Sequence, residues 1–322
     1  MKRIGVLTSG GDAPGMNACI RAVVRMAHSK GLEVVGIRRG FIGLIEGDVT
    51  PLSDRSVSGI IQHGGTILET SRCEEFKTPE GRAKAHTVLE SEGIEGMVLL
   101  GGDGTFRGAM EFCAEWKTPM TGVPCTIDND LAGTSFTIGF DTAVNTGVDA
   151  IDKIRDTATS LQRLFLVELM GRTSGYIAQE VAIAAGAEAV LVPEVRTNIP
   201  RLCRRISSDA IKGKRSWIIV VAEGEHPGGA FGVAEEIGSR LNLPYRVTVL
   251  GHIQRGGRPS ARDRALASLL GASAVEGLLD GKTNCMVGRI GGRVVFTPFE
   301  RAVTRKKPLD ANSLRLVTTL AG

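Results

Sequence analysis

Two short stretches of this sequence place carboxylates where glycine-rich backbone turns. In Gly101-Gly102-Asp103-Gly104-Thr105 the apolar run Gly96-Met97-Val98-Leu99-Leu100 ends in glycines, and a helical pattern opens from about Phe106. A buried strand, a glycine turn and a helix N-terminus gather backbone N–H groups and the positive end of a helix dipole at one point, which suits phosphate. Asp103 sits in the middle of that point. A carboxylate facing polyphosphate calls for a cation between them, and Mg²⁺ fits, so Asp103 is the candidate metal ligand. A second loop, Ser9-Gly10-Gly11-Asp12-Ala13-Pro14-Gly15-Met16-Asn17, also follows a strand-like run and opens a helix. Alone it is equally a plain tight turn; two such loops in one chain strengthen the phosphate reading. Neither has the Gly-Lys-Ser/Thr of a P-loop, and neither is a clean dinucleotide fingerprint.

The next stretch is Val123-Pro124-Cys125-Thr126-Ile127-Asp128-Asn129-Asp130. Two carboxylates two residues apart repel unless a cation or a shared proton balances them. A bland Asp/Asn turn is the alternative. The sharper reading is an acid–base site: phosphoryl transfer to an alcohol must remove the hydroxyl proton, and an aspartate can take it. Met170-Gly171-Arg172 follows another strand-like run, where an arginine fork suits carboxylate or phosphate. Arg246, His252 and Arg255 bracket a further strand and its glycine turn, and three donors closing on one spot would grip a terminal phosphate. Arg163 and Glu223 lie at strand edges. Ordinary surface arginines and a structural histidine are the competing readings.

These residues need a scaffold, and the rest of the chain supplies one. Short, nearly all-apolar runs at Arg3–Thr8, Val34–Ile37, Gly96–Leu100, Met120–Val123, Phe165–Met170, Val190–Val192, Trp217–Ala222 and Val247–Leu250 predict strands covered on both faces. Helical periodicity lies between them, including 142–161, 174–185, 199–212, 231–241 and 260–279. Repeated β–α units predict an α/β protein with doubly wound, mostly parallel sheets. The length of 322 residues allows two lobes, with weak boundaries near Gly139 and Gly256. The formal charge of +4 gives no reason to expect nucleic acid as a partner. No apolar run reaches the ~18 residues of a membrane span. The start, Met1-Lys2-Arg3-Ile4-Gly5-Val6-Leu7, resembles a signal peptide, but Thr8-Ser9-Gly10-Gly11-Asp12 cuts the apolar stretch too early. Six scattered cysteines without a C-x-x-C pair fit reduced thiols and a cytoplasmic location.

Taken together, the stretches GVLTSGGDAPGMNA, LLGGDGT, TIDNDLAGT, TIGFDTA, SLQR, VELMGR, VPEV and VLGHIQRGG resemble the bacterial 6-phosphofructokinase family, in family order from residue 4 to about 267. The resemblance implies two Rossmann-like lobes with the active site in the cleft between them. Residues 1–139 and 254–305 would form the larger, nucleotide-binding lobe, and 140–253 and 306–322 the smaller, sugar-phosphate lobe. It implies Mg²⁺-dependent phosphorylation of fructose 6-phosphate by ATP at O1. Asp128 would be the base for the sugar hydroxyl, supported by Asp130, with Thr126 at the transferring phosphoryl group and Asp103 on the metal. Gly11, Arg72, Cys73, Gly102, Gly104 and Thr105 would meet the nucleotide, Arg72 near the transferring group. Met170, Gly171, Arg172 and Glu223 would hold the sugar. His252 and Arg255 would hold the 6-phosphate, with Arg163 and Arg246 supplied by a neighbouring subunit of a homotetramer. Arg21, Arg25, Arg55, Arg155, Glu188, Lys212 and Lys214 resemble the family's effector site for ADP and phosphoenolpyruvate. Arg21 and Arg25, four apart, share a helix face, for which a solvated basic surface is the alternative. Ser216 stands where some relatives have histidine.

Gly104 favours ATP over pyrophosphate as donor, because pyrophosphate-using relatives carry a second Asp there that would crowd the nucleotide. Cys125, where ATP-users have Gly and pyrophosphate-users Lys, brings no positive charge but adds bulk near the nucleotide. Cys73 replaces an aromatic, Glu69 a small residue and Leu161 a histidine. The rival readings are transfer from pyrophosphate or another nucleoside triphosphate, and a non-catalytic nucleotide or sugar-phosphate sensor. Such a sensor could dispense with Asp103 or Asp128, yet both are present.

Overall fold

Every apolar run expected to be a strand forms one in the structure, a computed structural model that describes residues 1–158, 163–305 and 307–321. The chain opens with β1 (Arg3–Thr8), α1 (Met16–Ser29), β2 (Glu33–Ile37), α2 (Phe41–Glu46) and β3 (Val49–Leu52). It continues with α3 (Pro79–Ser91), β4 (Gly96–Gly101), α4 (Asp103–Trp116), β5 (Met120–Pro124) and α5 (Phe140–Ala158). Next come β6 (Leu164–Leu169), α6 (Tyr176–Ala184), β7 (Ala189–Leu191), α7 (Ile199–Ile211), β8 (Trp217–Ala222), α8 (Gly229–Leu241) and β9 (Tyr245–Val249). A short 3₁₀ turn, Gly251–Arg255, leads to α9 (Ala261–Leu279), β10 (Cys285–Ile290), β11 (Arg293–Pro298), α10 (Phe299–Thr304) and α11 (Ala311–Leu320).

Two compact units result, residues 1–142 with 255–307 and residues 143–254 with 308–322. In the first, seven strands run in the order β11-β10-β5-β4-β1-β2-β3. The inner strands are parallel, while β3 and β11 pair antiparallel at the edges. Strands β3, β10 and β11 escape the apolar-run criterion for a physical reason. The two edges are only partly covered and carry Pro51 and Pro298, and β10 breaks its apolar run with Gly288 and Arg289. Leu7, Leu99, Phe106, Phe112 and Met120 form part of the core on one face. On the other, α1 packs on α9 so closely that a Cβ at Gly271 would lie 2.8 Å from the Cys19 carbonyl oxygen.

The second unit has four parallel strands, ordered β7-β8-β6-β9. Leu164, Leu166, Ile219 and Val221 are fully buried among α7 and α8 residues such as Ile206 and Val233. Each hydrophobic strand face is thereby removed from water, the main stabilising contribution of an α/β layer.

One buried carboxylate ties the first unit together. Asp263, in the first turn of α9, accepts from the Gly139 N–H (2.9 Å), the Thr142 N–H (2.8 Å) and the Thr142 hydroxyl (2.5 Å). It therefore satisfies open N–H groups around the start of α5. Burial pushes its carboxyl above the usual range, against those three hydrogen bonds.

Candidate active site

In the first unit the chain leaves β1 for β2 on one side, and later places β4 on the other side of β1. The sheet thus reverses direction between β1 and β4, and ligands bind open α/β sheets at such a switch point, beyond the strand C-termini. Both glycine loops lie there. The Ser9 N–H donates to Leu100 O (3.0 Å), and the Thr105 hydroxyl donates to Ser9 O (3.1 Å), which stitches the loops together. A side chain at Gly101 would sit 2.8 Å from Ser9 O, so only glycine allows this approach. Thr70 donates its hydroxyl to Gly10 O (2.9 Å), which brings the segment carrying exposed Arg72 and half-buried Cys73 to the Ser9–Asn17 loop. Arg255 Nη1 donates to Asp12 O (3.1 Å), and its guanidinium lies where a Cβ on Gly11 would go.

Helix α4 begins at Asp103, three residues earlier than the periodicity places it, with Gly102 as its cap. The Asp103 carboxylate therefore sits in the first helical turn, where the dipole favours it. It accepts from Arg107 Nε at 2.8 Å, one turn on. Arg107 also donates to Val303 O (2.6 Å), and the Asp103 bond holds its guanidinium firmly protonated. The space around Gly104 is open: a Cβ there would meet nothing within 4 Å.

The loop after β5 adjoins the Gly101–Thr105 loop, since a Cβ on Gly102 would lie 3.5 Å from Thr126 Cβ. Thr126 Oγ1 accepts from the Asp128 N–H (3.3 Å), and Thr126 O accepts from the Thr137 hydroxyl (2.6 Å). Asn129 turns the backbone in the left-handed region, φ +51°. Its Oδ1 accepts from the Thr137 N–H (3.1 Å) and from Lys307 Nζ (2.9 Å). Asp128 is 4% exposed and Asp130 half-buried. Cys125 departs from expectation. Its thiol is buried against Cys19, and burial with that neighbour raises its pKa well above the usual value. Its bulk is buried in the core beside Cys19.

In the second unit the loops after β6 and β8 face each other, because these strands are neighbours. One Glu223 oxygen accepts from the backbone N–H groups of Gly171 (3.4 Å) and Arg172 (3.2 Å). Arg172 is held left-handed, φ +55°, with its side chain exposed. Gly224 makes this possible, since a Cβ there would lie 2.4 Å from Arg172 O. The Met170 N–H donates to Gln254 Oε1 (2.7 Å), and Gln254 donates to Ala143 O (3.3 Å).

Within one chain, Arg246 and His252 lie toward opposite ends of β9. Arg246 lies inside β9, paired in register with Phe165 near the start of β6. It is thus about 13 Å of extended strand from Leu250, whereas exposed His252 follows the other end. Arg255 belongs to the first unit, on its glycine loop. Arg163, just before β6, shares the N-terminal edge of the sheet with Arg246. Both are roughly a strand length from Arg172.

The expected basic cluster draws residues from both units. Arg21 and Arg25 on α1 and exposed Arg55 belong to the first unit. Arg155, Glu188, Lys212 and Lys214 belong to the second, where Glu188 pairs with Lys214 (3.1 Å) and Arg155 (4.0 Å). Leu161 lies outside the described residues. Sequence reading passed over Arg107, Gln254, Asp263 and Lys307. Gln254 sits inside the GHIQRGG stretch that drew attention to its neighbours; the others carried no local signal.

Residues 3–278 match the family described as Phosphofructokinase. Over 321 residues and the full length of both chains, the sequence is 57% identical to ATP-dependent 6-phosphofructokinase 1 of Thermus thermophilus. It is 53% identical to ATP-dependent 6-phosphofructokinase of Cytophaga hutchinsonii, over all of this chain and 98% of that one. Among solved structures, phosphofructokinase from Saccharomyces cerevisiae superposes with a TM-score of 0.90 at 35% identity. The match covers 94% of this chain and 45% of that longer one. Pyrophosphate-dependent phosphofructokinase from Marinobacter aquaeolei shares the fold, with a TM-score of 0.85 at 22% identity over all of this chain and 92% of that one.

Proposed function

We infer the reaction from one premise: the chain belongs to the phosphofructokinase family. It transfers the γ-phosphoryl group of ATP to O1 of fructose 6-phosphate, giving fructose 1,6-bisphosphate and ADP, the committed step of glycolysis. The observation that carries this reading is the meeting of the two glycine loops with the Thr126–Asp130 loop at the β1/β4 switch point.

In this reading Asp128 accepts the proton of the sugar 1-hydroxyl as its oxygen bonds to phosphorus, and Asp130 supports it. Thr126 lies at the transferring phosphoryl group. Gly102 and Gly104 leave backbone open to the phosphates, Gly11 lies on the other phosphate loop and makes room for the Arg255 guanidinium, Cys73 lies beside the nucleotide, and Arg72 neutralises developing charge. Thr105 has both its hydroxyl and its N–H engaged within the protein, so it joins the loops that meet the phosphates. On the sugar side, Glu223 fixes the turn of Met170, Gly171 and Arg172, and Arg172 adds charge neutralisation. His252 and Arg255 contact the 6-phosphate. Arg163 and Arg246 do so for a neighbouring subunit, which accounts for their place at the opposite sheet edge and calls for an oligomer, a homotetramer.

A divalent metal fits the first unit. Among the described residues no three His, Cys, Asp or Glu side chains converge on one cation site. That sparse set, with the half-exposed Asp103 carboxylate at the glycine loop, suits Mg²⁺, which binds through one or two carboxylates, phosphate oxygens and water. When bound, it neutralises the polyphosphate charge. The basic residues serve an effector site for ADP and phosphoenolpyruvate at a subunit interface. The enzyme works in the cytoplasm, consistent with six free cysteines.

Pyrophosphate as donor is disfavoured by the open space at Gly104 and the neutral, buried Cys125. A donor-by-acceptor activity matrix, with and without Mg²⁺, tests the assignment. The expected result is Mg²⁺-dependent turnover with ATP and fructose 6-phosphate; faster turnover with pyrophosphate would overturn the donor. Asp128→Asn should lower turnover by about 10²- to 10⁴-fold while fructose 6-phosphate still binds. Unchanged turnover would remove Asp128 as the base.

A further inference from the structure

We propose that Lys307 is a positioning residue for the reaction, setting the direction and ionisation of the two carboxylates of the Thr126–Asp130 loop through Asn129. The inference rests on the reading of Asp128 as the base.

Asn129 stands between Asp128 and Asp130 and carries the left-handed turn of the loop. Asparagine tolerates the left-handed region because its short side chain can hydrogen-bond locally. The Asn129 side chain does so by accepting from the Thr137 N–H and from Lys307 Nζ, while its Nδ2 donates to Ser135 O (3.4 Å). Lys307 Nζ donates to the same Ser135 carbonyl at 2.7 Å. Ser135 is in turn anchored to the sheet, its N–H donating to Arg289 O on β10 (2.9 Å). One ammonium thus closes the ring from Asn129 to Ser135 and fixes it to the sheet. The backbone angles of Asn129 set the direction of Asp128 relative to Asp130, so a shift there changes how the two carboxylates face each other.

The ammonium also brings charge. It feels the attraction of Asp130, while burial pulls its pKa down to about 8. A cation held at this desolvation cost favours the ionised form of neighbouring carboxylates, the form a base requires. Of the charged groups on the loop, Asp130 is the one whose attraction the ammonium feels.

The test uses full-length enzyme with ATP, Mg²⁺ and fructose 6-phosphate. Lys307→Met keeps the length and removes the charge. The expected result is a fall in kcat of about 10- to 100-fold, with both KM values within about twofold and the melting temperature nearly unchanged. Lys307→Arg should restore most of the loss. Wild-type kcat in Lys307→Met would overturn the proposal. So would parallel losses in kcat, both KM values and melting temperature, which describe a plain structural anchor. Should Lys307→Met not fold, the pH profile of Lys307→Arg decides. Wild-type kcat should decline as pH rises through about 8, as Lys307 loses its proton. Arginine keeps its charge, so the decline should move to higher pH; an unmoved decline overturns the proposal. An active Asp128→Asn enzyme would instead refute the base assignment, whatever Lys307 does.

Discussion

At the residue scale, the arrangement separates groups that do chemistry from groups that hold them. Asp103, Asp128 and Arg172 each sit at the C-terminal end of a strand, and each takes its direction from a neighbour: Arg107, Asn129 and Glu223. Gly104 is a different kind of residue. It has no positive φ and no crowding neighbour, so neither backbone nor packing demands a glycine there. Its value is the space it leaves. Gly104→Asp should leave the melting temperature nearly unchanged, since an acidic residue in a first helical turn is favourable. It should cut ATP-dependent turnover by about 10²-fold or more, through repulsion of the phosphates. Wild-type ATP kinetics in this variant would mean that the nucleotide passes elsewhere.

At the element scale, the first unit depends on where its helices begin. Asp263 on α9 takes three hydrogen bonds from residues around the start of α5, and it is 1% exposed. Asp263→Ala would strand those donors, and we expect a loss of roughly 2–4 kcal/mol, read as an earlier unfolding midpoint in urea. The pH dependence has a definite sign. The folded-state pKa of Asp263 is raised above its unfolded value, so its protonated form favours folding at low pH. That contribution is lost as pH rises from the ordinary carboxylate value to the raised one. The stability gap between wild type and Asp263→Asn should therefore narrow across that interval; a widening gap would contradict the assignment.

At the scale of the whole molecule, Arg163 and Arg246 lie at the N-terminal edge of the second unit's sheet, whereas Arg172 and Glu223 lie at the C-terminal edge. If sites are shared between subunits, Arg246→Ala and Arg172→Ala proteins, each nearly inactive, should regain activity when dissociated and reassembled together. A site built from the Arg172 side of one chain and the Arg246 side of the other is then intact. Mixtures no more active than their parents would rule out sharing. The sequence by itself determined the β–α alternation, the glycine loops and the family, because apolar runs, turn residues and ordered motifs are local properties of the chain. It left β3, β10 and β11 unseen, because partly covered or interrupted strands lack a continuous apolar run. It also could not tell that Arg246 and His252, close in sequence, lie toward opposite ends of an extended strand. Only the tertiary structure decided that Cys125 faces the core, that Thr105 clasps the two loops and that Lys307, 178 residues from Asn129, closes the acidic turn. Those are contacts between distant segments, set by the order of strands in a sheet, which no spacing along the chain encodes.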